Sequence, residues 1–282
     1  MAEPVKRATD IEEATNRWFF HPISTAIVPV FARLKITPNM VSLAGMASGV
    51  CGALLYRHYA ESTAWVVAGF FFMCLWHVLD GADGQLARLT NSQSEFGKII
   101  DGLCDYAVFA TVYIGLGLQL MPHYGPWIWA LIVGAGVCHA LQAGAYETQR
   151  QLFDYWALAK PSAAMATHKS SGFAGTLNHL YSSVQRQVSG FDQSLYDALQ
   201  SHINPGLRAS YRAHFAPTVH SWSIFCANYR TFAVFLCCLF KRPEVYFFIE
   251  AAVLTLVHIL LVHKQKRWNQ DFRSLFLNSK SG

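Results

Sequence analysis

Acidic residues within one short stretch of the chain have the spacing of a metal site. They are Asp80, Asp83, Asp101 and Asp105. Residues three or four apart share a helix face, so two antiparallel helices would point all four carboxylates into one pocket. Carboxylate oxygens suit Mg²⁺ or Mn²⁺ better than Zn²⁺. Four carboxylates in one pocket repel unless cations neutralise them, so we expect two bound ions.

Small and basic residues beside these carboxylates indicate a substrate that carries phosphate. Gly81 and Gly84 lack side chains, which would let a large ligand approach the backbone closely. Arg88 can neutralise a phosphate through bidentate contacts. Two metal ions can clamp the attacking and leaving oxygens of an in-line displacement at phosphorus. The stretch therefore predicts a divalent-metal site that acts on a phosphate-bearing substrate.

The composition is that of an integral membrane protein. The 282 residues are 53% hydrophobic and 14% charged, and the mean hydropathy is +0.23. A soluble domain has about 25% charged residues. The formal charge of +5 suits anionic lipid headgroups and does not indicate nucleic acid. The seven cysteines lack metal-ligand spacing, and we interpret them as reduced, small apolar residues. The sequence predicts an all-α, polytopic membrane protein.

Near-continuous apolar runs of about 18–22 residues predict six membrane spans. The predicted spans are 40–59, 63–81, 97–120, 127–148, 219–240 and 244–263. With the N-terminus cytoplasmic, 18 of the 22 basic residues lie inside. The exceptions are Arg57, Lys241 and Arg242 outside and Arg230 within a span. This asymmetry predicts that both termini are cytoplasmic, in the inner or plasma membrane. The first ~38 residues lack the apolar run of a cleavable signal peptide, so the first span is expected to direct insertion.

Three segments are not predicted to span. In the N-terminal segment 1–39, apolar positions recur at helical spacing over residues 10–35, which predicts an interfacial amphipathic helix. Pro22 and Pro29 are expected to break this helix, and a soluble cap over the cytoplasmic face is the alternative. The single transmembrane domain, 40–264, contains a polar cytoplasmic insertion at 149–218 with amphipathic helices around 176–200. The cytoplasmic tail is 265–282.

The acidic stretch resembles the signature of a known enzyme family. DGADGQLAR, eight further residues, Gly97, Asp101 and Asp105 match D-x-x-D-G-x-x-A-R, x8, G-x-x-x-D-x-x-x-D of the CDP-alcohol phosphotransferases at every fixed position. The Thr37-Pro38-Asn39 opening of the first span is similar to the family as well. The resemblance implies metal-dependent transfer of a substituted phosphate group from a CDP-alcohol to an acceptor hydroxyl. CMP leaves, and the reaction serves phospholipid or related polar-lipid synthesis.

The resemblance also implies residue roles. Asp80, Asp83 and Asp101 would hold the metal ions, and Asp105 would be a further ligand and the base that takes the acceptor's proton. The implied nucleotide-binding residues are Asn39, Asp80, Gly84, Ala87 and Arg88. For Asn39, the alternative is that its side chain only satisfies backbone groups at a helix start. Members of this layout are often homodimers, and the active site would open to the cytoplasmic leaflet.

Polar residues outside the signature are candidates for recognising the acceptor or a headgroup. They are Gln142, Glu147, Arg150 and Arg230. An arginine inside an apolar span usually faces a polar cavity or a partner. The alternative for the other three is a snorkelling end of the fourth span at the membrane interface. His77, His258 and His263 are expected to be structural.

The sequence is compatible with several alternatives. CDP-diacylglycerol is the favoured donor, with a polar alcohol such as a glycerol phosphate or an inositol as acceptor. The alternative is a CDP-choline or CDP-ethanolamine donor with a lipid acceptor. A diphosphate-dependent prenyltransferase would have a second, separated Asp-rich motif, and an ion-coupled transporter would have an inverted repeat. We find neither feature in the sequence. The intact acidic set also argues against a catalytically inactive family member.

Overall fold

The protein is helical throughout the part that the structure describes. The computed structural model describes residues 10–160 and 183–277, which contain no β-strand. The helices are α1 (His21–Arg33), α2 (Pro38–Tyr56), α3 (Thr63–Leu89), α4 (Glu95–Tyr124), α5 (Ile128–Leu158), α6 (183–188), α7 (Gln193–His202), α8 (Pro205–Trp222), α9 (Ala227–Leu239), α10 (Pro243–Phe248) and α11 (Leu254–Phe272). Short π-helical segments precede α1 (Asn16–Phe20), join α10 to α11 (Ile249–Val253) and follow α11 (Arg273–Leu277). The all-α prediction is confirmed.

Six helical stretches are long and apolar enough to cross a membrane, as the sequence predicted. They are Pro38–Tyr56, Thr63–Leu89, Ile99–Tyr124, Ile128–Leu158, Pro205–Leu239 and Pro243–Leu275. Several are longer than the apolar runs. The second continues to Leu89 rather than ending at residue 81, and the fifth begins at Pro205 rather than at residue 219. A hydropathy pattern marks only the lipid-compatible part of a helix, whereas the helix itself continues into polar sequence until a cap ends it.

Side-chain caps define where α2, α3 and α4 begin. The acidic motif lies on α3 and α4, and α2 packs beside them. Thr37 accepts a hydrogen bond from the backbone N–H of Met40 (3.4 Å) at the start of α2. At the start of α3, the hydroxyl of Ser62 accepts a hydrogen bond from the backbone N–H of Ala64 (3.1 Å). At the start of α4, the hydroxyl of Ser94 accepts one from the backbone N–H of Gly97 (3.0 Å). These residue types are the preferred N-caps, because their side-chain oxygen satisfies a backbone donor that the helix leaves unpaired.

The described residues form two compact units. The first comprises residues 10–136 and 227–251, and it contains α1–α4, the start of α5, α9 and α10. The second comprises residues 137–160, 183–226 and 252–277. The acidic motif lies entirely in the first unit. The boundary between the units divides the predicted transmembrane domain at positions that the sequence did not indicate.

In the first unit, α2 and α3 approach closely along a face of small residues. A Cβ atom at Gly52 would lie only 2.7 Å from the carbonyl oxygen of Gly69. One at Gly49 would lie 2.6 Å from a methyl carbon of Val108 on α4. Small residues at a helix interface allow such close backbone approach in membrane proteins. The ring of Trp76 on α3 is buried against this face, so the glycines fix where α3 lies relative to α2.

The N-terminal helix α1 packs on α3. Its buried residues are Ser24 and Val28, while Ile23 and Val30 are exposed, which fits the predicted amphipathic pattern. The expectation that the prolines would break the helix was wrong. Pro22 lies in the first turn of α1, where no N–H donor is needed, and the helix continues through Pro29 to Arg33. Its position at a membrane surface stays a prediction.

The second unit contains several buried polar contacts. The main-chain turn before α7 accepts hydrogen bonds from Gln149 at the Ser189 carbonyl (2.6 Å) and from Asn269 at the Gly190 carbonyl (3.0 Å). Asp192 then caps α7 through the N–H of Leu195 (3.0 Å). Of the amphipathic helices predicted around 176–200, α6 and α7 are seen, while residues 176–182 lie outside the described residues.

Two loops of the first unit meet at one end of its helices. The ammonium group of Lys241 donates to the carbonyl oxygen of Ala60 (3.2 Å). Arg242 beside it forms an ion pair with Glu244. The loops that follow α2 and α9 therefore lie on the same side of this unit, although both carry basic residues that ran against the predicted charge asymmetry.

Candidate metal centre

Three of the four motif carboxylates converge where α3 and α4 form an antiparallel hairpin. One oxygen from each of Asp80, Asp83 and Asp101 lies within 4.8 Å of the others. Asp83 is buried, and the other two are partly exposed. A cluster of hard, anionic oxygens at this spacing fits a divalent cation such as Mg²⁺ or Mn²⁺, and these three residues are the ones that would hold it.

Asp105 is not one of the three carboxylates that lie within 4.8 Å of one another, although it is near enough to interact electrostatically with all three. It is one turn beyond Asp101 on α4, and its carboxylate lies near the side chain of Trp76. The indole of Trp76 stacks on His77, with ring centroids 4.3 Å apart, and meets the edge of Phe109 at 5.5 Å. His77 is in turn bound to the hydroxyl of Thr231 (2.9 Å). Asp105 therefore lies beside a packed aromatic group as well as near the other carboxylates.

Asp83 has a partner on α2 that the sequence reasoning missed. The hydroxyl of Ser42 donates to Oδ2 of Asp83 over 2.5 Å, and both side chains are buried. Ser42 follows Asn39 by three residues and therefore shares its helix face. That spacing was a usable signal, since the predicted nucleotide-side residue Asn39 already marked this face of α2.

Arg88 folds back over Gly84 towards the acidic residues. A Cβ atom at Gly84 would lie 3.4 Å from Nη1 of Arg88 and 3.8 Å from its Nη2. Side chains on a helix lean towards its N-terminus, so the guanidinium lies over the turn that precedes its own Cα. That turn follows Asp83 directly. Ala87 is half-buried beside it, and the absence of a side chain at Gly84 leaves room for the guanidinium.

Asn39 lies beside the first turn of α4. A Cβ atom at Gly97 would lie 3.5 Å from the side-chain oxygen of Asn39. The cap of α2 is Thr37, so Asn39 is not the capping residue of its helix. The first two turns of α2 thus contact both motif helices, α3 through Ser42 and α4 through Asn39.

Gly81 has a different role from the one expected of it. A Cβ atom there would lie 2.8 Å from the hydroxyl oxygen of Ser24 on α1. That hydroxyl donates to the carbonyl oxygen of Val78 (2.7 Å), and Thr25 donates to the side chain of Gln85 (2.9 Å). The interpretation that Gly81 makes room for a ligand was wrong, because α1 occupies that side of α3.

The residues expected to recognise an acceptor have partners within the protein. Arg230 forms a buried ion pair with Glu250, with Nη2 3.0 Å from Oε1, and the two side chains are 1% and 0% exposed. In the second unit, Gln142 donates to the hydroxyl of Thr255 (3.2 Å), and Arg150 pairs with Glu147 one turn earlier (2.7 Å). Their proposed part in headgroup recognition stays a prediction.

The outward face of α4 is apolar along the length of the motif. Four large side chains are more than half exposed there, on the side of the helix opposite the carboxylates. They are Phe96, Ile99, Leu103 and Tyr106. A single helix thus separates an apolar surface from the candidate metal centre.

Part of the chain matches a known protein family. Residues 35–167, which include the complete motif, match the sequence model of the family described as CDP-alcohol phosphatidyltransferase. Residues 35–167 therefore form a domain of this family, and the resemblance drawn from the motif is confirmed. Together with the six apolar helices, this makes it an integral membrane protein.

Individual relatives are named for lipid phosphotransfer. The chain is 32% identical over 101 residues to phosphatidylinositol phosphate synthase of Mycobacterium tuberculosis, covering 36% of this chain and 45% of the relative. It is 30% identical over 122 residues to choline/ethanolaminephosphotransferase 1 of Arabidopsis thaliana, covering 41% and 31%. It is 28% identical over 88 residues to cholinephosphotransferase 1 of Danio rerio, covering 29% and 22%. The matched part spans less than half the length of each of these relatives.

Proposed function

We propose that the protein transfers a substituted phosphate group from a CDP-alcohol to the hydroxyl of an acceptor alcohol, in phospholipid or related polar-lipid synthesis. The acceptor oxygen forms a bond to the donor's alcohol-linked phosphorus, the bond from that phosphorus to the CMP oxygen breaks, and CMP leaves. The observation that carries the proposal is the convergence of Asp80, Asp83 and Asp101 within 4.8 Å, on a complete family motif.

Each motif residue has a part in this reaction. Asp80, Asp83 and Asp101 would hold the Mg²⁺ or Mn²⁺ ions, two in our proposal. When bound, such ions neutralise the diphosphate and orient its oxygens. Arg88, folded over Gly84, binds a phosphate oxygen. Asp105 takes the proton of the acceptor hydroxyl at its carboxylate, while the N–H of Trp76 orients that carboxylate. Asn39, Asp80, Gly84 and Ala87 border the nucleotide.

CDP-diacylglycerol is our preferred donor. The support is the match to relatives named phosphatidylinositol phosphate synthase, because a product of that name contains a phosphatidyl group joined to a phosphorylated polar alcohol. The acceptor would then be a polar alcohol or its phosphate. The second candidate is a CDP-choline or CDP-ethanolamine donor with a lipid acceptor. Its support is the match at similar identity to relatives named for choline and ethanolamine phosphotransfer.

Location and assembly form part of the same proposal. The excess of basic residues in the predicted inside segments supports an active site on the cytoplasmic side of the inner or plasma membrane. A nucleotide-linked donor is available on that side. The resemblance supports a homodimer.

The decisive experiment is CMP release by the detergent-purified protein with Mg²⁺ or Mn²⁺. CDP-diacylglycerol, CDP-choline and CDP-ethanolamine are each offered with a panel of alcohols that includes glycerol phosphate, inositol, inositol phosphate and diacylglycerol. We expect metal-dependent CMP release with one pairing, lost in Asp83→Asn and Asp105→Asn.

Asp197→Asn on α7 is the matched control, because Asp197 is an exposed aspartate outside the motif. It undergoes the same chemical change and should keep full activity. A folded protein that binds none of the CDP compounds and releases no CMP with any pairing would contradict the proposal.

A further inference from the structure

We propose that Ser42 is a positioning residue of the metal centre. Its hydroxyl holds one oxygen of Asp83 and so sets the orientation in which that carboxylate meets a divalent cation. This inference rests on the proposed function, because it concerns the same carboxylate cluster. It assigns to that cluster a residue that lies outside the acidic motif and on a different helix.

The contact is short, direct and buried. The distance from Oγ of Ser42 to Oδ2 of Asp83 is 2.5 Å, and the residues are 7% and 6% exposed. A carboxylate offers two oxygens, and a donor on one of them restricts rotation of the group. The other lone pairs stay available to a cation. Groups that hydrogen-bond to metal ligands orient those ligands, and losing such a group typically weakens metal binding about 10–100-fold.

The position of the hydroxyl is itself fixed by packing. Gly45, one turn further along α2, brings the two helices together, since a Cβ atom there would lie 3.3 Å from Cβ of Leu79. The hydroxyl has one alternative acceptor within its own helix, the carbonyl oxygen of Pro38, at the longer distance of 3.2 Å. A hydroxyl has one proton to donate, so the 2.5 Å contact to Asp83 is the favoured one.

The chain contains a matched comparison in Ser48. It lies on the same helix, is 8% exposed, and donates across the same interface to the carbonyl oxygen of Phe72 (2.8 Å). Removing either hydroxyl deletes one hydrogen bond between α2 and α3. Only the hydrogen bond of Ser42 ends on a carboxylate of the metal centre. A difference in metal affinity between Ser42→Ala and Ser48→Ala therefore reports on the orientation of Asp83 and not on helix packing in general.

The test measures cation binding without turnover. The full chain is purified in detergent, and Mn²⁺ alone is titrated while free Mn²⁺ is followed by electron paramagnetic resonance. We expect Ser42→Ala to weaken Mn²⁺ binding about tenfold. Ser48→Ala should bind like the wild type, and Ser42→Thr, which keeps the hydroxyl, should restore most of the affinity. Equal Mn²⁺ affinity in Ser42→Ala and Ser48→Ala would overturn the inference.

Two further variants keep the test decisive. If Ser42→Ala does not fold, as judged by circular dichroism and gel filtration, Ser42→Cys replaces it, because a thiol is a weaker donor of similar size. Wild-type affinity in Ser42→Cys would then overturn the inference, and reduced affinity would support it.

Asp83→Asn separates the inference from the proposed function. If Asp83→Asn binds Mn²⁺ as the wild type does, the metal centre itself is wrong. If only Ser42→Ala is unaffected, the metal centre stands and the role of Ser42 is rejected.

Discussion

The four motif carboxylates have the same side chain but different neighbours. Asp80, Asp83 and Asp101 lie close to one another, whereas Asp105 lies near the indole of Trp76. Their residue types and shared helix faces could be predicted, because both follow from the three- and four-residue spacing. Their separate surroundings were only partly predictable. Trp76 is an ordinary residue of an apolar helix until folding brings it near Asp105, whereas the spacing of Ser42 from Asn39 was a signal that the sequence carried.

The different surroundings of Asp105 predict a different effect of its substitution. In Asp105→Asn the amide cannot take the acceptor's proton, so CMP release should fall by at least about 100-fold. Mn²⁺ binding should fall much less than in Asp101→Asn, because Asp105 lies outside the group of three. Parallel titrations of Mn²⁺ and assays of CMP release would measure both effects. Equal loss of Mn²⁺ binding in the two variants would place Asp105 among the metal ligands instead.

The proximity of Trp76 to Asp105 leads to a second prediction at this scale. Trp76→Phe keeps a ring that can pack against His77 and Phe109 but removes the N–H that, in our proposal, orients Asp105. We expect kcat to fall roughly tenfold with little change in KM for the donor, because only the proton acceptor is misplaced.

Trp65→Phe is the control, since Trp65 lies exposed near the start of the same helix. It should leave both constants unchanged. A raised donor KM without a fall in kcat in Trp76→Phe would show that the indole acts on binding and not on Asp105.

At the scale of elements, the spacing between α2 and α3 depends on glycine. Gly52→Ala would place a carbon 2.7 Å from the backbone oxygen of Gly69, which cannot move as a side chain can. We expect the free energy of unfolding to fall by about 1–3 kcal/mol, as for other overpacked interiors. Thermal unfolding in detergent measures this.

The control for Gly52→Ala is Gly134→Ala on α5, where a new methyl group would have no atom within 4 Å. Alanine favours a helix over glycine, so this variant should be as stable as the wild type or slightly more stable. Equal melting temperatures for the two variants would mean that α2 and α3 are not in close contact at Gly52.

The buried ion pair between α9 and the π-helical segment Ile249–Val253 makes a prediction about stability. Arg230→Met would leave Glu250 buried without its cation, which should cost about 3–5 kcal/mol. Arg230→Met combined with Glu250→Met should recover most of that loss, because no unpaired charge remains. Arg242→Met, at an exposed pair, should change stability by less than about 1 kcal/mol.

The double variant also tests the expectation that Arg230 recognises the acceptor. Unfolding curves and acceptor KM are measured on the same preparations. A stable double variant with an unchanged acceptor KM would assign Arg230 to structure alone, and a raised KM would support recognition. A single Arg230→Met variant as stable as the wild type would contradict the burial of the pair.

Element boundaries were less predictable than element number. Apolar runs identified six spans, but the second span continues through the polar motif to Leu89, and the fifth begins at Pro205. The start of the fifth span had a local signal. Asn204 caps α8 by accepting a hydrogen bond from the N–H of Leu207 (3.0 Å), and a proline follows Asn204. No local signal in the sequence indicates that α1 continues through Pro29, where the helix packs against α3.

At the scale of the whole molecule, topology can be tested through the loops of the first unit. Ala60 and Lys241 are hydrogen-bonded to each other, so the loops after α2 and α9 must lie on one side of the membrane. In a cysteine-free background, Glu61→Cys and Lys241→Cys should react with a membrane-impermeant maleimide on intact cells. Ser92→Cys, in the turn between α3 and α4, should react only after permeabilisation.

The reverse labelling pattern would place the acidic motif on the outer side and contradict the proposed cytoplasmic active site. Labelling of Glu61→Cys without Lys241→Cys would contradict the contact between the two loops. The sequence alone left this topology least certain at Lys241 and Arg242, because their charges oppose the usual asymmetry. Their contacts with Ala60 and Glu244 explain how those charges are accommodated.

The apolar outer face of α4 has a consequence for how two unlike reactants meet. One helix is about 10 Å across, with hydrocarbon-compatible side chains on one side and the motif carboxylates on the other. For a reaction that joins a lipid to a water-soluble molecule, this thickness is the whole distance between the bilayer and the aqueous phase. In the proposed reaction, acyl chains therefore stay in the bilayer while the reacting phosphorus lies among polar groups. Neither proposed reactant has to be extracted from its own phase before the bond forms.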